Sequence, residues 1–514
     1  MATLSKLASP RESSILWLAI ALCFSLGIAF RLFRLDDKVL WHDEVYTLLR
    51  VTGHIGAAVQ AAVMTGEPIT GAELLKFQQF APDATFGDTW RSLLDHPEHP
   101  PLYYLLLWIW VKGWGTSIAA FRSLSALFSI AAVPIMALLC RALYQSRRAA
   151  LIGVALLALS PVQILYAQEA REYSLWGLLT LLASWLLVRA VRQPTPRAWL
   201  FYSVALALGL YTSVLAGLTL MAHAVYGAIA LPKRRWLSLG LAIAGSSLLF
   251  VPWMLVIITR MGRLKTVTDW IYAVPPWGVR IKLWGLHFAS VFVDMNLPLS
   301  HLYTYLVPAI LVGLIGVAMV QMARSQPYRV GLLPISLVVI PAAVLMGGDI
   351  VRSTQISSHT RYFFPTLLGI VVLMAGWLSD RARHRPRQVV VGLTVLLCSG
   401  LISASLSATS PSWWNKGVSY QNAQIASAIA TQPPPVVLMG QNRGTTVGDF
   451  ISLAHRLPDT TLFQLTPLSE TPPLVEQATT KLLFQPSEEF RNAYACPSEP
   501  LPELMPETVW LLRC

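Results

Sequence analysis

Charged residues are scarce in this sequence. Asp, Glu, Lys and Arg make up 13% of the 514 residues, and the mean hydropathy is +0.55, whereas about 25% of a typical soluble chain is charged. Apolar runs of about twenty residues, long enough to cross a bilayer, recur from Ser14 to Ser407. This composition excludes a water-soluble enzyme and predicts an all-α polytopic membrane module over residues 1–408. Residues 409–514 are predicted to form a small soluble α/β domain.

Nucleotide-binding fingerprints are also lacking: the sequence contains neither a P-loop nor a Rossmann glycine pattern. The net charge of +13 does not indicate nucleic-acid binding, because of where the charges lie. Residues 409–514 contain 6 basic and 9 acidic residues, and the preceding 408 contain 33 and 17. The basic surplus lies in short loops between apolar segments, as the positive-inside rule requires.

Cysteine is rare, with five residues in the chain. Cys23, Cys140 and Cys398 lie far apart in apolar segments, where a lone cysteine acts as a small hydrophobic residue. Cys496 and Cys514 bracket the end of the tail. If the tail faces an oxidising compartment they can form a disulfide, and otherwise they are two reduced thiols.

Eleven membrane spans are predicted: about 14–33, 120–143, 149–167, 173–192, 198–212, 214–231, 236–256, 301–323, 330–348, 363–379 and 388–408. With a cytoplasmic N-terminus, the inner loops hold 17 basic residues and only two acids, Glu12 and Asp380, whereas the other side of residues 1–408 holds 16 basic and 15 acidic residues. This asymmetry predicts a multi-pass plasma-membrane protein whose C-terminal domain is extracytoplasmic.

The predicted external loop, residues 34–119, holds 10 of the 17 acids of residues 1–408. Within it, Pro101–Trp114 is apolar and aromatic but shorter than a span, so it is predicted to be an interfacial helix, as is 279–298. In the tail the pattern predicts strands at Val436–Met439, Thr461–Leu465 and Thr508–Arg513. Helices are predicted around Thr446–Arg456 and Pro473–Leu483.

The sharpest motif is Trp41-His42-Asp43-Glu44-Val45-Tyr46-Thr47, just beyond the outer end of the first span. Two adjacent carboxylates there have two explanations. They can charge the first turn of an interfacial helix, where acids interact favourably with the helix dipole. Alternatively, one of them can accept a proton from an incoming hydroxyl, which is the minimum that an inverting displacement needs.

A second motif, Tyr166-Ala167-Gln168-Glu169-Ala170-Arg171-Glu172-Tyr173-Ser174, lies between two predicted spans on the same outer face. Its charges form either a structural salt bridge or the lining of a site, since ionisable residues at membrane depth often mark functional paths.

The third motif, Asp95-His96-Pro97-Glu98-His99-Pro100-Pro101-Leu102-Tyr103-Tyr104, carries two histidines flanked by acids. A metal site is one interpretation. The prolines forbid the helical i, i+4 histidine spacing, so a loop that shapes a cavity is favoured.

External basic residues form the fourth group: Arg260, Arg263, Lys265, Arg352, His359 and Arg361. A guanidinium binds a phosphate through two parallel hydrogen bonds. Snorkelling at the membrane surface is the alternative. It suits Arg260, Arg263 and Lys265 better than His359-Thr360-Arg361-Tyr362, which directly precedes a span.

Together these motifs resemble those of a known family. The DE pair, HPPLYY, YAQEAREYSL, the GLYTS break and HTRYFFP occur in that order within about residues 14–380. They resemble the GT-C glycosyltransferases, in the family 39-like branch that includes protein O-mannosyltransferases and the lipid A aminoarabinose transferase.

The resemblance implies transfer of a sugar from a polyprenyl-phosphate donor to a glycan, lipid or protein acceptor on the extracytoplasmic face, by an inverting displacement. It makes Asp43 the base, with Glu44 beside it as a catalytic residue. The expected substrate-binding residues are His42, His99, Tyr103, Glu169, Arg171, Tyr173, Arg260, Arg263, His359, Arg361 and Tyr362.

No cofactor is required for this chemistry; it is compatible with a divalent cation, but no residue pattern indicates one. The expected partners are the lipid-linked donor, the acceptor and membrane lipids, and not nucleic acid. A transporter or flippase of lipid-linked sugars is the main alternative. Transporters often show repeated halves and broken helices at the midplane, whereas here the acids lie at the outer interface. A structural membrane scaffold is the third interpretation.

Overall fold

The structure, a computed structural model, describes residues 10–324, 328–502, 504–505 and 508–514. Residues 1–9 of the predicted cytoplasmic N-terminal segment lie outside these ranges, as do residues 325–327 of a predicted inner loop.

Helices dominate the described part of the chain. In chain order the α-helices are α1 (Pro10–Leu32), α2 (His42–Thr52), α3 (Gly56–Val63), α4 (Gly71–Lys76), α5 (Phe86–Leu94), α6 (Leu102–Trp114), α7 (Ile118–Tyr144), α8 (Arg147–Ala158), α9 (Pro161–Ala167), α10 (Tyr173–Arg192), α11 (Pro196–Thr212), α12 (Gly217–Ala230), α13 (Lys233–Thr259), α14 (Met261–Val267), α15 (Trp277–Ala289), α16 (Tyr303–Arg324), α17 (Tyr328–Arg352), α18 (Phe364–Arg381), α19 (Pro386–Thr409), α20 (Asn422–Ala430), α21 (Thr446–Ala454) and α22 (Glu488–Asn492). Short 3-10 helices lie at Val214–Ala216, Asp269–Tyr272, Ile356–Ser358, Thr360–Phe363 and Trp414–Ser419.

The strands are β1 (Ile69–Thr70), β2 (Val436–Gln441), β3 (Leu462–Thr466), β4 (Thr480–Phe484), β5 (Ser498–Pro500) and β6 (Val509–Leu512).

The chain forms two compact units. Of the described residues, the helical unit contains those up to Phe33, Pro97–Tyr103 and Arg122–Thr409. The α/β unit contains Arg34–His96, Tyr104–Phe121 and Ser410–Cys514. Most of the predicted external loop therefore groups with the tail, whereas the sequence analysis placed that loop with residues 1–408.

The core of the helical unit is α18. Every residue from Phe364 to Ser379 is buried, because this helix packs against α8, α10, α16 and α17. A helix that is apolar all round is typical of the core of a large protein or of a membrane span.

Helices α8 and α9 form one predicted span, 149–167, that bends by 56°. Pro161 begins α9 at a position where a missing N–H costs nothing. The fully buried Arg31 of α1 donates to the carbonyl oxygens of Leu157 (3.0 Å) and Ala158 (2.7 Å) at the end of α8 and to Ser129 Oγ (2.8 Å). This guanidinium supplies donors to carbonyl groups at the C-terminal end of α8, where the regular helical hydrogen bonds end.

Among the described helices, seven are long and apolar enough to cross a membrane, or eight if the bent pair counts as one span. The sequence predicts eleven. Three predicted spans account for the difference, because their apolar stretches are shorter than the roughly 20 residues that a span needs. Helix α11 has 17 residues, α12 has 14, and the apolar helix of the first predicted span is Leu18–Leu32. Helices α6 and α15, both predicted to be interfacial, have 13 residues each.

The α/β unit is built on a six-stranded sheet of order β1-β3-β2-β4-β6-β5. Strand β2 is parallel to β3 and β4, and the outer pairs are antiparallel. Strand β2 is buried along its whole length. Strand β1 comes from the predicted external loop, so the loop and the tail share one sheet.

The predicted tail strands and the helix at 446–456 are present as β2, β3, β6 and α21. The predicted helix Pro473–Leu483 is wrong: residues 480–484 form strand β4, paired with β2 and β6. Pairing with two neighbours overrides a local helical pattern. Cys496 and Cys514 form a disulfide, which selects the first of the two alternatives that the sequence left open.

Candidate active site

The predicted carboxylate pair lies in the first turn of α2, with Trp41 as the N-cap residue. Acids at this position interact favourably with the helix dipole. Asp43 is half-buried, and its main-chain oxygen accepts a hydrogen bond from Thr47 Oγ1 (3.0 Å). The side chain of Glu44 has no exposed surface. The two adjacent carboxyl groups therefore have different surroundings.

Glu44 forms a buried ion pair with Lys416, a residue that the sequence analysis missed. Lys416 Nζ lies 2.9 Å from Glu44 Oε2, and neither side chain is exposed. Lysine is almost never fully buried without a partner. In the sequence, Lys416 is a single lysine in an aromatic segment after α19, and no local pattern distinguishes it.

His42 also contacts the tail. Its main-chain N–H donates to Ser419 Oγ (3.0 Å), and Ser419 Oγ donates to Asp449 Oδ1 (2.6 Å). The imidazole ring lies 4.7 Å from the ring of Tyr46 and packs against Gly448. His42, predicted to bind substrate, is therefore in contact with α21 of the tail.

The second motif forms a buried turn between α9 and α10. Gln168 donates to the carbonyl oxygens of Phe30 (2.8 Å) and Phe33 (2.9 Å), which fixes the turn to the end of α1. Arg171 Nε lies 3.3 Å from Glu172 Oε2. Glu169 is fully buried, and Arg171 is nearly so. The salt bridge that the sequence analysis considered is thus present, between Arg171 and Glu172.

His99 and Tyr103 of the third motif lie beside this turn. His99 Nδ1 is 3.9 Å from Glu172 Oε1. The Tyr103 hydroxyl is 2.8 Å from Ser125 Oγ, and Ser125 Oγ donates to the carbonyl oxygen of Arg171 (3.1 Å). Two motifs about seventy residues apart in the sequence therefore meet in the helical unit.

Tyr166 connects the turn to the His359–Tyr362 segment. It interacts electrostatically with Glu169 and Arg361. Its ring lies 5.2 Å from that of Tyr173 and 5.5 Å from that of Phe364, the first residue of α18. The structure thus brings Glu169, Tyr173 and Arg361, all predicted site residues, to one region of the helical unit.

The His359–Tyr362 segment is held from two sides. The carboxylate of Asp349, on α17, accepts hydrogen bonds from the main-chain N–H groups of Ile356 (3.1 Å) and Ser357 (2.5 Å). His287, on α15, hydrogen-bonds to the hydroxyl of Thr360 through Nδ1. Burial lowers the pKa of His287 to about 3, so this ring is neutral at pH 7. These contacts fix the backbone that carries Arg361.

His359 and Arg361 are half-buried among aromatic rings. The ring of His359 lies 5.1 Å from Trp270, and the Arg361 guanidinium lies 5.2 Å from the centre of Tyr362. By contrast, Arg260 is exposed and Arg263 is half-buried, at the junction of α13 and α14. The exposure of Arg260 fits the snorkelling alternative, whereas Arg263 is half-buried like Arg361.

Arg280 is a further cation that the sequence analysis did not place in the site. It is 3% exposed, on α15, and its guanidinium lies 4.5 Å from the ring centre of Trp277 and 5.6 Å from that of Trp284. Nε and Nη2 have no hydrogen-bond partner within the described residues. Trp284 donates to Ser357 Oγ (2.9 Å), so this face of α15 borders the segment that precedes His359.

The predicted site residues are divided between the two units. His42, Asp43 and Glu44 belong to the α/β unit, and the other predicted site residues belong to the helical unit. Among the described residues, no three His, Cys, Asp or Glu side chains form a group that could hold a metal ion.

Comparisons with known proteins identify a family signature in part of the chain. Residues 98–259 match the family model described as dolichyl-phosphate-mannose-protein mannosyltransferase. This match covers less than half of the chain and includes the second and third motifs. No curated protein matches the sequence at a significant level.

Solved structures show the fold. The archaeal oligosaccharyltransferase AglB from Archaeoglobus fulgidus, in complex with an inhibitory peptide and a dolichol-phosphate, is similar with a TM-score of 0.50 and 12% identity over 88% of this chain. This chain covers 65% of AglB. ArnT from Cupriavidus metallidurans, bound to undecaprenyl phosphate, has 15% identity and a TM-score of 0.45, with 98% of each chain covered. In agreement with the sequence motifs, the likeness to AglB shows the fold of the GT-C glycosyltransferases, and residues 98–259 match a mannosyltransferase family model.

Proposed function

We propose that this membrane protein transfers a sugar from a polyprenyl phosphate to a hydroxyl acceptor on the extracytoplasmic face. The observation that carries the proposal is the group of ionisable residues around the buried Tyr166, at the ends of apolar helices: the buried Glu169 and the half-buried Arg361 each interact electrostatically with Tyr166. Ionisable groups in such a place are costly and usually functional. The family match and the dolichol-phosphate in AglB, a protein of this fold, support a lipid-phosphate donor.

The proposed reaction is an inverting displacement. Asp43 accepts the proton of the acceptor hydroxyl, and the hydroxyl oxygen attacks the anomeric carbon. The bond between that carbon and the phosphate oxygen breaks, and its electron pair leaves with the polyprenyl phosphate. The half-buried position of Asp43 supports this role. Glu44, a catalytic residue by resemblance, would influence Asp43 through its charge, since it is fully buried against Lys416.

Cations would stabilise the negative charge on the leaving phosphate. We assign this role to Arg361, with His359 beside it, and add Arg280. A buried guanidinium with two nitrogens that lack hydrogen bonds is costly unless an anion joins it. Glu169, Arg171, His99, Tyr103 and Tyr173 would line the sugar and acceptor positions. The proposed reaction uses only side chains and needs no cofactor.

The orientation is part of the proposal. A cytoplasmic N-terminus and an external tail follow from the 17 basic residues of the predicted inner loops. The disulfide between Cys496 and Cys514 supports an external tail, since such bonds persist in oxidising compartments.

The proposal is tested with purified full-length protein in nanodiscs. The probes are mannose, glucose and aminoarabinose carried on undecaprenyl phosphate, and the readout is free undecaprenyl phosphate together with a glycosylated product from an envelope extract. Asp43→Asn should reduce the rate by about 10²–10⁴, the usual cost of losing a positioned general base. Asp36→Asn, at an exposed acid of the same unit, is the matched control and should be neutral. Wild-type turnover by Asp43→Asn would contradict the assignment. In a parallel assay with the protein in sealed vesicles, donor movement across the membrane without product would indicate a transporter.

A further inference from the structure

We infer that the segment Trp414–Ser419, at the start of the tail, positions the catalytic motif, with Lys416 and Ser419 as the positioning residues. The inference rests on the proposed role of Asp43. It assigns to the tail a direct part in building the site, although the sequence resemblance to the family covers only about residues 14–380.

The first contact is the ion pair of Glu44 with Lys416 (2.9 Å), in which neither side chain is exposed. Removing one partner of such a pair leaves an uncompensated charge in the protein interior, and this is strongly unfavourable. Glu44 follows Asp43 directly in the first turn of α2. Lys416 therefore limits how far this turn can move.

The second contact holds the residue that precedes Asp43. The His42 main-chain N–H donates to Ser419 Oγ (3.0 Å), which in turn donates to Asp449 Oδ1 (2.6 Å) on α21. Asn422 also donates to Asp449 Oδ1 (3.1 Å), so the acceptor is itself fixed. Asp43 thus lies between two residues that are each bonded to the tail.

Close packing reinforces both contacts. A Cβ atom on Gly448 would lie 2.4 Å from His42 Nδ1, so only glycine allows this approach of ring and helix. Gly417 has a φ of 52°, a left-handed value that favours glycine. The turn at Gly417 lies between Lys416 and Ser419, so its sharp bend sets the geometry of both.

The charge of Lys416 has a consequence for the reaction. Two neighbouring carboxylates disfavour each other's ionised form, and a base must be ionised to accept a proton. Lys416 balances the charge of Glu44. Among the described residues, the helices packed against α2 also carry Asp88 and Arg91 on α5 and Asp449 on α21, and α2 itself carries His42 and Arg50.

The experiment uses full-length protein in nanodiscs with two variants, Lys416→Met and Ser419→Ala. Each has a matched control in the same tail, Lys481→Met and Ser427→Ala. Hydrogen–deuterium exchange of peptides covering residues 38–52 reports the mobility of α2 without any substrate. The rate and its pH dependence are measured with the undecaprenyl-phosphate sugar that the wild type uses.

We expect both test variants to exchange faster over residues 38–52 and both controls to match the wild type. We expect kcat to fall at least about tenfold, because small displacements of a catalytic group are costly, with KM for the donor changed less than about twofold. Lys416→Met should also change the acid limb of the pH–rate profile, because it removes the positive charge that balances Glu44 beside Asp43. A purely structural role would leave that limb in place.

Wild-type exchange in both variants, or an unchanged rate and pH profile in folded Lys416→Met, would overturn the inference. If Lys416→Met does not fold, the smaller change Ser419→Ala tests the inference: faster exchange over residues 38–52 with a lower kcat supports it, and wild-type exchange and kcat contradict it. If the wild type makes no product but both variants exchange faster over residues 38–52, the proposed function is wrong, whereas the contacts of Lys416 and Ser419 still position α2.

Discussion

Lys416 Nζ and Glu44 Oε2 lie 2.9 Å apart with no exposed side-chain surface, although 372 residues separate them in the chain. One partner stands in the motif that resembles the catalytic motif of a family, and the other stands in a tail to which that resemblance does not extend. Replacing such a pair by apolar residues is often neutral, whereas breaking it is not. The pair therefore indicates that the motif and the tail constrain each other.

The first prediction concerns Arg361 and the donor phosphate. Lysine offers a point charge without the planar fork of a guanidinium, so Arg361→Lys should weaken the apparent affinity for the undecaprenyl-phosphate sugar, and Arg361→Ala should weaken it further. Titration of the donor in the transfer assay gives both values. Arg197→Lys, at an exposed arginine of the same unit, is the control. Wild-type affinity in both Arg361 variants would remove Arg361 as the phosphate ligand and favour the snorkelling interpretation.

Arg280 gives a prediction in which two measurements move in opposite directions. Arg280→Met removes a buried charge whose Nε and Nη2 make no hydrogen bond to the described residues. The variant should therefore unfold at the same or a higher temperature without lipid, since uncompensated buried charge is unfavourable. It should also bind the donor more weakly. Undecaprenyl phosphate should raise the unfolding temperature of the wild type more than that of the variant. The same measurement with inorganic phosphate distinguishes a lipid-phosphate site from a general anion site, because only a general anion site would give the same difference with the free ion. A less stable variant with unchanged donor affinity would show that Arg280 is structural.

The buried carboxyl group of Asp449 should make the stability of the protein depend on pH. Burial raises the pKa of its carboxyl group, and hydrogen bonds from Ser419 and Asn422 and the charge of His42 offset this in part. The native state therefore keeps the proton at pH values where the unfolded chain has lost it. The contribution to stability is present below the unfolded pKa, about 3.9, and is lost as pH rises through the higher folded pKa. Relative to the wild type, Asp449→Asn should gain stability as pH rises from about 4. Thermal unfolding between pH 4 and 8 measures this, with Asp459→Asn as an exposed control. A constant difference in Tm between Asp449→Asn and the wild type would contradict the prediction.

The proposed orientation predicts which positions a membrane-impermeant thiol reagent reaches in intact cells. The free cysteines Cys23, Cys140 and Cys398 are first replaced by alanine. New cysteines at Asp83 and Ser469, both exposed in the α/β unit, should react. One at Arg235, in a predicted inner loop, should react only after permeabilisation. Labelling of Arg235→Cys with protection of the other two would invert the topology and remove the extracytoplasmic reaction.

The sequence by itself determined the fold class and most of the candidate residues. A shortage of charge and repeated apolar runs predict a polytopic helical protein, and the motif order predicts the GT-C resemblance that the fold confirms. The strands at Val436 and Leu462 follow from local apolar patterns. Glu169 and Arg171 are visible in the sequence because charges at the edge of apolar helices are unusual. Such features depend on neighbouring residues, so a linear pattern contains them.

The tertiary structure alone decided how the pieces combine. It formed β4 where the local pattern predicts a helix, because β2 and β6 pair with those residues. It placed most of the predicted external loop in one unit with the tail, and it buried Lys416 against Glu44. A lysine in a linear sequence has no property that reveals a carboxylate 372 residues away. Long-range pairs form only when folding brings distant segments into contact, and so burial, ion pairing and sheet register are properties of the fold and not of any segment.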